Sequence, residues 1–113
     1  MPTVVVFRSR IREDASGEFQ ELADRMLAIA RDMPGFISYK VYSAPDGERV
    51  SIHEWESPEQ LRAWREHPEH RKVQALGREL YYEEYTSYVC DAPRESRFRR
   101  SDAAEPVTSE RGG

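Results

Sequence analysis

Ile52-His53-Glu54-Trp55-Glu56-Ser57-Pro58-Glu59-Gln60-Leu61-Arg62-Ala63-Trp64-Arg65-Glu66-His67-Pro68-Glu69-His70 is the stretch whose reading decides the fold. It predicts a strand that ends at Glu56 and passes straight into a helix: Ser57 takes the N-cap, Pro58 the first helical position, and Gln60 stands three residues after the cap. Leu61 and Trp64, three apart, give that short helix a buried side. Both tryptophans and all three histidines of the chain lie inside this stretch. No other segment gathers so many side chains able to line a pocket, stack on a flat ligand or move a proton.

On the N-terminal side, Phe36 to Tyr42 and Val50 to Trp55 read as the two arms of a β-hairpin closed by Ala44-Pro45-Asp46-Gly47. Alternation sets Val50, Ile52 and Glu54 on one face, with Ser51, His53 and Trp55 on the other. On the C-terminal side, Pro68 opens a second helix in which Val73, Leu76 and Leu80 share a face, and Gly77 lets a neighbour approach closely. Tyr81 to Cys90 then predicts a last strand with apolar or aromatic residues on both faces.

Further out, Thr3 to Ile11 is a β-branched run with Val5, Phe7 and Ser9 facing one way and Val4, Val6, Arg8 and Arg10 the other, a pattern expected of a central strand. Asp14 or Ser16 can cap the following helix, whose Phe19, Leu22, Ala23, Met26, Leu27, Ala30 and Met33 recur at three- and four-residue spacing. Pro34-Gly35 ends it. From Ala92 onward the apolar pattern stops, so residues 92–113 are expected to form a disordered tail behind a single domain of residues 1–91.

The order β-α-β-β-α-β is that of a ferredoxin-like α+β domain: an antiparallel sheet with helices on one face. Apolar residues on the second face predict that another subunit covers it. The chain has 113 residues, 38% of them hydrophobic and 34% charged, which leaves room for one modest core. Its formal charge of −4 argues against a protein built to grip nucleic acid, since a phosphate backbone demands a basic face. Cys90 is the single cysteine, so neither an intrachain disulfide nor a CxxC metal site is available and a reducing, cytoplasmic setting is expected. The opening residues lack a signal-peptide pattern, and no apolar run approaches the roughly 20 residues of a membrane span.

The Val-rich first strand, Met33-Pro34-Gly35-Phe36 after the first helix, Trp55-Glu56-Ser57-Pro58-Glu59 leading to Ala63-Trp64, and the Tyr81 to Cys90 strand together resemble the antibiotic biosynthesis monooxygenase domain family. The resemblance covers residues 3–91. It implies a dimeric α+β barrel. It also implies either a monooxygenase without metal or organic cofactor, acting on a phenol, quinol or polyketide-like substrate, or a heme-degrading enzyme. The heme-degrading branch carries an asparagine on the first strand, a tryptophan on the short helix and a histidine ligand beyond it. Trp64 matches that tryptophan, but Phe7 stands at the asparagine position and Val73 or Gln74 where the histidine belongs.

Among individual residues, Trp55 reads as packing at a sheet edge, while Trp64 reads equally as packing or as a pocket wall. His53, inside a strand, is either a hydrogen-bonded structural group or a proton handler, since imidazole titrates near neutrality. His67 and His70 flank Pro68; a His-x-x-His spacing brings two imidazoles near each other, but a metal would need further ligands. Their alternatives are surface or capping roles. Arg8 and Glu54 sit among valines and isoleucines and are expected to pair.

An oxygenase of the implied kind has a substrate that becomes an enolate or phenolate and reduces O₂ itself. The protein then removes one proton, holds the anion and excludes water. The expected site has one of His53, His67 and His70 as the base, with Phe7, Trp64 and Tyr88 binding substrate. A non-catalytic small-molecule-binding or structural homodimer is the alternative. No Gly-rich phosphate loop, Ser-His-Asp arrangement or nucleophile elbow is visible.

Overall fold

The strand Thr3–Ile11 (β1) runs up the middle of a four-stranded antiparallel sheet in which its neighbours are Arg49–Trp55 (β3) and Tyr82–Asp91 (β4), with Phe36–Ser43 (β2) on the far side of β3. The structure is a computed structural model and describes residues 1–100. Helices Ser16–Arg31 (α1), Pro58–Arg65 (α2) and Pro68–Leu76 (α3) complete the split β-α-β-β-α-β order of a ferredoxin-like α+β domain. Among the described residues no helix is long and apolar enough to cross a membrane.

The capped helix start forms as its sequence dictates. The Ser57 side chain accepts from the Gln60 backbone N–H at 3.2 Å, and Pro58 fills the first turn, where its missing N–H costs nothing. Gly35 packs against the same cap: it has a φ of +87°, a Cβ there would fall on the Gln60 side chain, and its carbonyl accepts from the Glu56 N–H at 2.9 Å. Phe36 then meets Trp55 edge to face at 5.6 Å. The Pro-Gly-Phe break and the Trp-Glu-Ser-Pro junction are thus one contact, locking the start of β2 to the end of β3.

Two expectations about helices change. Neither Asp14 nor Ser16 is the N-cap of α1; Glu13–Ala15 closes a 3₁₀ turn that places Ala15 there, with no side chain bonded to the helix start. The second helical segment does not keep one face through Leu80. After Leu76 the chain makes a π-type turn over Gly77–Tyr81, and the wider turn rotates the following residues out of phase. Leu80 is consequently exposed, as is Leu76 at the end of α3, Tyr81 goes into the core, and β4 begins at Tyr82. Gly77 does allow a close approach, since a Cβ there would lie 2.6 Å from the Tyr82 ring.

The core forms two clusters beneath α1. Val5, Met26, Ala30, Trp55, Leu61 and Trp64 pack at one end, and Ala15, Phe19 and Tyr81 at the other. The opposite sheet face carries Val4, Val6, Val50, Ile52, Tyr42 and Tyr88, as strand alternation and register require. Arg8 and Glu54, also on that face, do find partners, but not each other: Arg8 pairs with Glu48 at 2.9 Å, and Glu54 accepts from the Ser38 hydroxyl at 2.8 Å. Residues 93–99 form no helix or strand, and the rest of the expected tail, 101–113, lies outside the described residues.

Candidate active site

Between the inner sheet face and the helices lies a cavity of about 390 Å³, lined by Val5 and Phe7 of β1, His53 and Trp55 of β3, Trp64 of α2 and His70 of α3, among others. Its walls follow from period-two alternation on the strands and from the apolar stripe of α1. Trp64, only 5% exposed, stacks on Trp55 with centroids 6.2 Å apart and on the His70 ring at 4.4 Å. It is therefore packing and cavity wall at once. Phe7 also borders the cavity and contacts Tyr82 and Tyr85.

His53 Nδ1 accepts a hydrogen bond from the Trp55 indole N–H at 2.8 Å. A neutral imidazole that accepts at Nδ1 carries its proton on Nε2, so the ring is held as a donor at that atom. Burial pushes the His53 pKa down to about 4, helped by the neighbouring His70. Burial likewise takes His70 to about 4, opposed by a backbone hydrogen bond at Arg65 and assisted by the charges of Arg65 and His67. Both imidazoles are neutral at pH 7. His70 Nδ1 is shut off from solvent without a hydrogen-bond partner. Tyr82, whose pKa burial raises to about 12, keeps its phenol proton beside the same cavity.

The three histidines thus separate. His53 and His70 face one cavity, whereas His67 caps α3, its Nδ1 accepting from the Glu69 N–H at 3.1 Å. His67 touches the edge of the site only through its ring contact with Trp64, at 5.9 Å. Tyr88 does not line the cavity. It pairs with Val6 on the outer sheet face and is 49% exposed, while Tyr85, Ser87 and Val89 are the β4 residues that point inward. Because β4 is aromatic on both faces, its sequence gave no sign of which parity is inside.

Sequence reasoning passed over Arg49 and Tyr39, which also border the cavity. Extending the β3 alternation by one residue would have found Arg49, on the same face as Ser51 and His53. Among the described residues no group of three His, Cys, Asp or Glu side chains gathers as metal ligands do. Phe7 and Gln74 border the cavity and Val73 packs on the core, so these positions offer no imidazole to a heme iron.

A four-stranded antiparallel sheet, helices on one face and an aromatic cavity between them define an α+β protein of the ferredoxin-like class. Within it, the family pattern described as antibiotic biosynthesis monooxygenase matches residues 2–76, more than half of the chain, and the chain belongs to that family. It is 29% identical over 100 residues to the uncharacterized protein YqjZ of Bacillus subtilis, covering 88% of each chain. Its fold is similar to that of Rv0793 from Mycobacterium tuberculosis, with a TM-score of 0.75 and 28% identity over 86% of this chain and 100% of that one. It is similar as well to SnoaB, a cofactor-independent oxygenase from Streptomyces nogalater, with a TM-score of 0.70 over 83% of this chain and 95% of that one. At 20% identity, the likeness to SnoaB is one of fold.

Proposed function

We propose that the cavity binds a flat aromatic substrate, a phenol, quinol or anthrone-like molecule, and oxygenates it with O₂ and no metal or organic cofactor. The observation that carries this reading is the pair of neutral imidazoles, His53 and His70, facing one aromatic-walled cavity. The two are not interchangeable. With Trp55 holding His53 as a donor at Nε2, His53 hydrogen-bonds the oxyanion that develops on the substrate, and Tyr82 is placed to assist. His70, whose Nδ1 has no hydrogen-bond partner and whose ring stacks on Trp64, is left as the proton acceptor. Phe7 and Trp64 flank the ring and exclude water.

For an anthrone, whose ring CH₂ lies across the central ring from the carbonyl, loss of one proton gives a phenolate-type anion that passes an electron to O₂. The radical pair joins as a peroxide, and elimination of water leaves a new carbonyl. One oxygen atom of O₂ stays in the product and the other leaves as water, so no outside reductant is consumed. The fold likeness to SnoaB, a cofactor-independent oxygenase, supports this reading. So does family membership. The apolar outer sheet face supports a homodimer as the working form.

An oxygen electrode tests the assignment with anthrone as substrate. O₂ uptake is expected for the native protein, with His70→Gln slower by roughly 10²–10⁴-fold, the size of a general-base contribution. A His70→Gln protein that remains folded and keeps the native rate removes His70 from the mechanism. Saturable binding of anthrone with no O₂ uptake by the native protein replaces the oxygenase reading with that of a binding protein.

A further inference from the structure

The chain contains 21 acidic residues and a net charge of −4, yet among the described residues no carboxylate lines the cavity, whereas Arg49, Arg65 and Arg78 do. Five arginines outside the cavity are paired. Arg8, Arg10, Arg12, Arg25 and Arg97 each hold a carboxylate within 3.9 Å, and among the described residues the three cavity arginines hold none.

Arg49 stands out among the three. It is half-buried where Arg65 and Arg78 are exposed at the rim, and its guanidinium lies 4.7 Å above the Phe19 ring centroid. A cation drawn partly out of water normally has a counter-charge or a full set of hydrogen bonds, because the desolvation otherwise goes uncompensated. Phe19 supplies a cation–π contact, and among the described residues no carboxylate pairs with the guanidinium edge. Arg49 also shares the inner face of β3 with Ser51 and His53. The four-residue step from Arg49 to His53 spans about 13 Å of strand, comparable to the length of a fused aromatic system carrying one substituent.

We propose that the cavity selects aromatic acids: the ligand's carboxylate pairs with Arg49, and its ring lies along β3 toward His53 and His70. This rests on the reading of the cavity as an aromatic site and names the substrate class it takes. Arg65 and Arg78 at the rim raise the local concentration of anions against the acidic remainder of the surface. Arg49 supplies the forked pair of donors that a carboxylate accepts in two parallel bonds. Among the described residues the lining holds no acid, which would both repel the ligand and neutralise Arg49.

The test is calorimetric titration of the full chain at neutral pH with 2-naphthoate and with 2-naphthamide, which differ in charge while keeping the same ring and nearly the same shape. O₂ chemistry plays no part in it. Naphthoate is expected to bind tighter by about tenfold, the yield of roughly one charge-assisted pair, and added salt is expected to weaken naphthoate alone. Arg49→Met should reduce the preference to about twofold or less without weakening naphthamide, and Arg49→Lys should retain part of it. Equal affinities in the native protein overturn the acid preference while leaving the aromatic cavity standing, and so does a preference that salt does not touch. Binding of neither compound overturns both. The salt dependence and the amide comparison use the native protein, so the inference can fail even if an Arg49 variant does not fold.

Discussion

Trp55 joins packing to chemistry in one side chain: its indole is fully buried against Phe36 and Trp64 while its N–H fixes the tautomer of His53. Trp55→Phe should keep most of the packing and lose the lock. A hydrogen bond donated to the neutral ring disfavours protonation, so its removal should raise the His53 pKa from about 4 toward the ordinary 6.5, readable as the NMR titration of the His53 ring protons. An unchanged titration would show that burial and the neighbouring His70 hold it down without the indole. The same residues set the acid limb of stability. Both His53 and His70 bind protons less readily when folded than when unfolded, so stability is fully present above pH 6.5 and is lost as pH falls toward 4. Thermal melts of the His53→Gln, His70→Gln double variant should lose much of that decline; an equally steep decline would place its origin in other groups. That His53, Ser51 and Trp55 share a face was legible from alternation. The indole–imidazole bond was not, since it depends on rotamers, and the side taken by Tyr88 was hidden because both faces of β4 are aromatic.

At the scale of elements, the junction from β3 to α2 was legible because its signals are local: a cap, a proline and two apolar residues in register. Ser57→Ala removes the side chain that accepts from Gln60, and should cost about 1 kcal/mol in denaturant unfolding. A change within error would mean that the contact with Gly35 holds the helix start without the cap. The end of α3 was not legible. A π-type turn needs no special residue, and here it is fixed by what packs on it, the Tyr82 ring over Gly77. Gly77→Ala would set a Cβ 2.6 Å from that ring. The strain should lower stability by about 1–3 kcal/mol and, because Tyr82 borders the cavity, weaken ligand binding as well. Native stability and native affinity in that variant would show that the turn yields without disturbing the site.

The whole molecule presents two sheet faces of different fate. The inner one is roofed by helices and holds the cavity; the outer one carries Val4, Val6, Ile52 and Tyr88, the last 49% exposed among the described residues. Light scattering at micromolar concentration should give the mass of two chains, and Ile52→Lys should give one, because a charge in the centre of that face would have to be desolvated on pairing. A monomeric native protein would leave the outer face without the partner proposed for it. The cavity on the inner face is where O₂ would deliver its oxygen atom to the substrate. The most direct measurement is mass spectrometry of the product formed from anthrone under ¹⁸O₂ by the native protein in the absence of any added cofactor or reductant. Catalysed formation of a carbonyl product carrying one ¹⁸O atom, with the rate lost in His70→Gln, is the predicted result. Recovery of unlabelled anthrone from a protein that binds it, or a labelled product formed no faster than in buffer, would contradict the account.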